Sequence, residues 1–128
     1  MIRQIKSGEG WRLGWNPSAA EFCGLVGGEG WAIELTTAEF LDFGRSVSQL
    51  AIAMAAMNDS LMDEERLCCE QETALIWLEA EGFPAQYGLR FILLNGRKAE
   101  GEWPPKVVQA LLIALAEPPF TALFAESA

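Results

Sequence analysis

The tetrapeptide Gly-Glu-Gly-Trp occurs at Gly8–Trp11 and again at Gly28–Trp31, and an imperfect third copy, Glu-Gly-Glu-Trp, stands at Glu100–Trp103. Glycines flanking a charged residue mark a tight reversal, and a bulky aromatic directly after it opens a strand. The second and third copies each lead, within a few residues, into a long apolar segment of helical period. The pattern predicts two related strand-rich units, each closed by a helix.

Length joins those units into one body. At 128 residues the chain has the size of one domain, and half of it would bury too little surface to stand alone. A single domain over residues 1–128 is expected, with a pseudo-repeat at 1–58 and 63–117 and a tail at 118–128. Five tryptophans and seven phenylalanines supply enough apolar area for a solid core.

Along the first unit, residues 2–6 alternate weakly, and Gly8 and Gly10 bracket a turn. Trp11, Leu13 and Trp15 then share one strand face. Asn16-Pro17-Ser18 turns the chain, Phe22–Val26 is a short apolar strand, the 27–30 glycine cluster reverses it, and Trp31–Leu35 returns. Thr36 and Glu39 have the spacing of a capping box, with Leu35 and Phe40 as a hydrophobic staple. Phe40, Phe43, Val47, Leu50, Met54 and Met57 recur at spacings of three and four, an amphipathic stripe whose far edge, Met54 and Met57, could add to a partner surface. Asn58-Asp59-Ser60 ends the helix.

The second unit opens with the acidic run Asp63-Glu64-Glu65 and a strand at Arg66–Thr73. Strands at Ala74–Glu81 and Gly88–Asn95 form a hairpin about the loop 82–87, which sets Glu79 opposite Arg90, Trp77 opposite Ile92 and Ile76 opposite Leu93. Both faces of this hairpin are apolar, so both are expected to be covered, by helices on one side and by a second sheet layer or another subunit on the other. Asn95-Gly96 makes a tight turn, residues 98–103 a last strand, and Pro104-Pro105 opens a helix that is apolar nearly all round. Phe120 and Phe124 are the anchors available to the tail.

Composition narrows the chemistry. Histidine is absent, which removes the commonest general base and transition-metal ligand. The formal charge of −9, from 18 acidic and 9 basic residues, repels phosphate backbones and anionic membranes. Cys23, Cys68 and Cys69 form neither a disulfide framework nor a CxxC, and read as reduced apolar residues with Cys68 and Cys69 on opposite strand faces. The first residues lack a signal-peptide core and no apolar run spans a bilayer, so a soluble cytoplasmic protein is expected. Glycines 24–30 lead into a strand rather than a helix, which argues against a phosphate loop, and no cofactor or metal is expected.

Two groups remain as candidate sites. Glu70 with Glu72, and Glu79 with Glu81, each share a strand face as acid–base or cation-binding pairs do, although Glu79 already has Arg90 opposite it. Trp11, Trp15 and Trp31 lie at positions that place them on one sheet face, with Arg12 and Arg90 as nearby cations. Period-two aromatics belong more often to a core, and Trp11, directly after a glycine turn, is the one expected to stand clear.

The runs Arg3–Pro17 (RQIKSGEGWRLGWNP), Gly30–Thr36 (GWAIELT) and Leu89–Leu93 (LRFIL) resemble a cyanobacterial family, domain of unknown function 1818, to which no activity is assigned. The resemblance covers residues 2–120. It implies a fold like the Whirly and positive-cofactor-four single-stranded-DNA-binding regulators: α+β, two repeats of a curved antiparallel β-meander followed by an α-helix. The chain lacks the lysine-rich KGKAAL-type strand of the Whirly proteins, so that fold does not bring nucleic-acid binding with it. The expectation is a non-enzymatic, cytoplasmic binding or accessory protein for a protein partner, as monomer or homodimer. Single-stranded nucleic-acid binding by the tryptophans is the alternative, favoured if Arg3, Arg12, Arg90, Arg97 and Lys98 form one strip. A small-ligand binder or enzyme using Glu70, Glu72 or Glu79 is the third reading, and it requires a carboxylate desolvated in a pocket.

Overall fold

The computed structural model describes residues 3–57 and 65–126. In chain order these form β1 (Gln4–Gly8), β2 (Trp11–Trp15), β3 (Gly24–Gly28), β4 (Trp31–Leu35), α1 (Thr37–Met57), β5 (Leu67–Glu72), β6 (Ile76–Phe83), β7 (Gln86–Leu93), β8 (Glu100–Trp103), α2 (Pro105–Leu115) and α3 (Phe120–Glu126). Strands β1 to β4 make one antiparallel sheet and β5 to β8 a second, each a meander in chain order. The expected α+β plan, two four-stranded antiparallel sheets each followed by a helix, is the observed one. Met1 and Ile2, the helix stop at Asn58-Asp59-Ser60, and Asp63 and Glu64 lie outside the described residues.

Strand boundaries differ from expectation for local reasons. The first two copies of the repeat are two-residue turns, Glu9-Gly10 and Glu29-Gly30, and Gly10 and Gly30 take φ of 81° and 77°. That left-handed conformation at the second turn residue is the type II pattern and selects glycine. Gly27 and Gly28 belong to β3 rather than to the turn, and the strand starts only at Gly24, because the Asn16 amide closes the preceding loop on the Cys23 carbonyl at 2.7 Å. The third copy is strand β8 itself, not a turn. In the second unit the Thr73 hydroxyl accepts from the amides of Leu75 and Ile76 at 3.1 Å, which delays β6 to Ile76. The hairpin loop shrinks to Pro84-Ala85 with its centre unmoved, so Ile76↔Leu93, Trp77↔Ile92 and Glu79↔Arg90 pair as expected.

The capping box is formed. The Glu39 carboxylate accepts from the Thr36 amide at 2.9 Å, and the Thr36 hydroxyl accepts from the Glu39 amide at 3.2 Å. Beyond it, Phe40, Phe43, Val47, Leu50 and Met54 are buried on α1. Met54 is core rather than a partner edge, and the residue that α1 turns outward is Ile52, 67% exposed. Helix α2 buries Val107, Val108, Leu111 and Leu115 but not its whole circumference, since Ile113 is 52% exposed. The tail docks: Phe120 is buried, and the rings of Phe120 and Phe124 lie 5.9 and 5.7 Å from that of Phe40. Leu13 and Val26 of the first sheet, Leu78 and Phe91 of the second, and all three helices contribute to one core cluster. Each such side chain contributes about 1.5–3 kcal/mol by leaving water.

One carboxylate lies inside. Glu39 is 2% exposed, and besides its capping role it accepts from the Asn95 amide group and from the Arg97 guanidinium. Arg97 also donates to the Glu34 carbonyl at 2.5 Å and stacks over Phe22 at 4.7 Å. The β7–β8 connection is thereby clamped onto the start of α1, tying the second unit to the first. Glu39→Ala removes the acceptor shared by the helix cap, Asn95 and the partly exposed Arg97, and is expected to lower stability by about 2 kcal/mol. Glu39→Gln, which keeps a capping acceptor, should cost less. Urea unfolding followed by tryptophan fluorescence measures both, and equal losses would show that the neutral capping acceptor contributes nothing and the charge carries the whole effect.

Candidate functional site

Alternation along the second sheet separates two surfaces. Ile76, Leu78 and Ala80 of β6, with Leu89, Phe91 and Leu93 of β7, point inward and are buried beneath the helices. The odd-numbered residues of β6 and the even-numbered ones of β7 point the other way and are half-buried or exposed, Gly88 lying against Pro105 of α2. The helices pack on the inner face, as expected, and no second sheet layer among the described residues lies over the outer one. Two cross-strand rows organise the outer one. Glu72, Trp77, Ile92 and Glu100 pair in sequence across β5 to β8, and beside them Glu70, Glu79, Arg90 and Glu102. Leu94, just past β7, is 42% exposed.

Polar and cation–π contacts tie the side chains of this surface to one another. The Trp77 indole N–H donates to Glu70 at 2.8 Å, and the Arg90 guanidinium lies over the Trp77 ring at 5.6 Å. Arg66 donates to Glu81 through Nε at 3.0 Å and Nη2 at 2.5 Å while stacking on Phe83. The expected Glu79–Arg90 ion pair is not made, although the two residues stand opposite each other. Arg90 turns to the indole instead, and a Glu79 oxygen accepts from the Cys68 thiol at 3.1 Å.

At the β8 end the surface opens into a cleft of about 780 Å³, bounded by Glu79, Glu81, Arg90 and Glu102 on one side and by Glu29, Trp31, Pro104 and Pro105 on the other. The two sheets meet here. Trp31 rests where a Cβ on Gly28 would come within 2.5 Å of its indole nitrogen, and its far edge lies 2.3 Å from where a Cβ on Gly101 would sit. Its ring centroid is 5.1 Å from that of Trp103, whose buried N–H donates to the Gly27 carbonyl at 2.8 Å. Glycines at these positions are what allow so close an approach.

The predicted site residues do not converge. Trp11, Arg12 and Trp31 line a shallow groove between the two Gly-Glu-Gly-Trp turns, with both indoles half-buried. Trp15, at the other end of β2, stacks on Phe40 at 5.7 Å. Arg90 stands apart, in the midst of the outer face of the second sheet. The other cations are dispersed as well: Lys6 pairs with Glu117 at 3.3 Å, and Arg97 is committed to Glu39. Glu70 and Glu72 are exposed and Glu79 half-buried, and no group of three or more Cys, Asp or Glu among the described residues is placed to hold a metal ion. Sequence reading missed Trp77 and Ile92 as a surface feature, because it assigned them to a covered face. Glu100 and Glu102 also went unmarked, and their alternation about Gly101 was the available signal.

The cysteines divide as their positions on β5 require. Cys69 packs against the core while Cys68 is exposed on the acidic face, contrary to its reading as an apolar core residue. The hydrogen bond to Glu79, then burial, then the charges of Glu79, Glu70 and Glu81 push its thiol from the ordinary 9.0 up to about 11.

Two four-stranded antiparallel meanders, each closed by a helix, define the class of α+β protein to which the chain conforms. The family described as domain of unknown function (DUF1818) matches residues 6–117, and the chain belongs to it. Among solved structures it is similar to a protein with unknown function from the DUF155 family of Prochlorococcus sp. NATL2A. That likeness has a TM-score of 0.84 at 31% identity and covers 89% of this chain and 96% of that one. No curated protein matches the chain in sequence. No helix of the described residues is long and apolar enough to cross a membrane.

The raised Cys68 pKa has a kinetic consequence. A rise from 9.0 to about 11 leaves roughly a hundredfold less thiolate at neutral pH. The greater nucleophilicity of a more basic thiolate recovers about tenfold, so alkylation near pH 7.5 should run about tenfold slower than for an ordinary exposed cysteine. Glu79→Ala should speed it. Timed iodoacetamide labelling read by peptide mass spectrometry measures this, and identical rates in both proteins would remove Glu79 as the cause.

Proposed function

We propose that the protein is a non-enzymatic binding or accessory protein that recognises a protein partner through the outer face of the second sheet. The observation that carries this reading is the half-buried row Trp77–Ile92 on the outer face, extended by the exposed Leu94 and set among carboxylates, in a chain whose other tryptophans lie within or against the core. Indole and aliphatic groups held on a rigid sheet, with polar residues around them, are what protein interfaces use at their centre and rim. A cytoplasmic setting agrees with the reduced, exposed Cys68.

Single-stranded nucleic-acid binding, by analogy with the Whirly and positive-cofactor-four fold, draws support from the half-buried Trp11 and Trp31 beside Arg12. It is the weaker reading. The strip it requires is absent among the described residues: Arg90 lies among carboxylates on the second sheet, Arg97 is spent on Glu39, and Arg12 is on the first sheet. The enzyme reading has less still, since it needs a desolvated carboxylate and Glu70, Glu72 and Glu79 are exposed or half-exposed.

Affinity capture of the tagged protein from a lysate of its source, with and without nuclease, tests the choice when run beside a Trp77→Ala/Ile92→Ala variant of unchanged circular dichroism. A stoichiometric protein that survives nuclease and is lost with the variant is the expected result. A partner retained by the variant, or a set that vanishes with nuclease, would overturn it.

A further inference from the structure

We infer that the partner element seated on this face is an extended basic segment in which two lysines or arginines flank an apolar residue at alternate positions; the inference rests on the binding face proposed above. Charge excludes the other occupants. The face carries Glu70, Glu72, Glu79, Glu81, Glu100 and Glu102 against Arg90, with Arg66 at its margin already bound to Glu81. A second copy would set these carboxylates against their like, and nucleic acid or an anionic lipid surface would be repelled in the same way. A cationic partner is attracted.

Spacing then fixes the pattern. In the row Glu72, Trp77, Ile92, Glu100 the apolar pair stands between two carboxylates. Neighbouring strands lie about 4.8 Å apart, so the two glutamate positions are separated by three spacings, about 14 Å. An extended chain advances about 3.4 Å per residue, so side chains at i, i+2 and i+4 share one face over about 13.5 Å. A segment crossing the strands therefore places its outer cations over Glu72 and Glu100, and its central apolar residue between Trp77 and Ile92. The neighbouring row has no apolar pair, and the Arg90 guanidinium, reaching across to lie over Trp77, rejects a cation at the segment's middle, which is why the central residue is apolar.

Fluorescein-labelled nonapeptides with Lys-Thr-Leu-Thr-Lys at their centre test this by anisotropy at low salt, beside Glu-Thr-Leu-Thr-Glu and Lys-Thr-Ser-Thr-Lys controls. The full chain is expected to bind the first at least tenfold tighter than either control. Glu72→Gln/Glu100→Gln should weaken it about tenfold and flatten its salt dependence, with an unchanged circular dichroism spectrum. Equal binding of the three peptides, no binding of the first, or indifference to the double variant would overturn the inference. The two readings fail separately. If the basic peptide fails while a captured partner is still lost from Trp77→Ala/Ile92→Ala, the face stands and the basic segment falls. If that variant changes neither, the face itself falls.

Discussion

The contact between Trp31 and Trp103 is where the two meanders meet directly, beside helices that pack on both. Neither sheet shares a ladder with the other, so no backbone pairing holds them together. The joint is made of one indole lying on glycine on both sides and a second indole whose N–H reaches a β3 carbonyl in the interior. A side chain on Gly28 or Gly101 would occupy the place of the Trp31 ring. The glycines that look like turn residues in the sequence therefore act partly as sockets, and the repeated tryptophan is what fills them.

A polar clamp answers this apolar joint at the opposite end of β4. Glu39 gathers the first turn of α1, the Asn95 side chain and the Arg97 guanidinium into one buried cluster. Together the two joints fix how the second sheet presents itself. Its inner face is committed to α1 and α2, and its outer face is left with Trp77 and Ile92 half-buried among their glutamates. The surface proposed for binding thus follows from which residues the core has already claimed.

Much of the fold was legible in the sequence because its signals are local. The capping spacing of Thr36 and Glu39, the stripe from Phe40 to Met54, and the hairpin register through Glu79 and Arg90 all rest on neighbours in the chain or on period-two matching. The outer face was not legible. Trp77 and Ile92 satisfy the pattern of a buried strand as well as Ile76 and Leu93 do, and only the arrangement of the helices tells the two sets apart. The Glu79–Arg90 pair failed for a similar reason: register fixes which backbones are opposite, whereas rotamers decided that Arg90 lies on an indole and Glu79 takes a thiol. Glu39 was foreseen as a cap but not as the partner of Arg97, 58 residues away in sequence, because nothing local announces so distant a contact.

The hydrogen bond from Trp103 to Gly27 spans 76 positions of the chain. Each meander, by contrast, closes through short connections whose entropy cost is small. Pairing within the sheets is therefore expected to run ahead of their union, and the union must wait for β8, the shortest strand and the last to be reached along the chain. A chain interrupted just before that late tryptophan would hold its two sheets through α1 and the Glu39–Arg97 clamp alone, without the aromatic joint between β3 and β8.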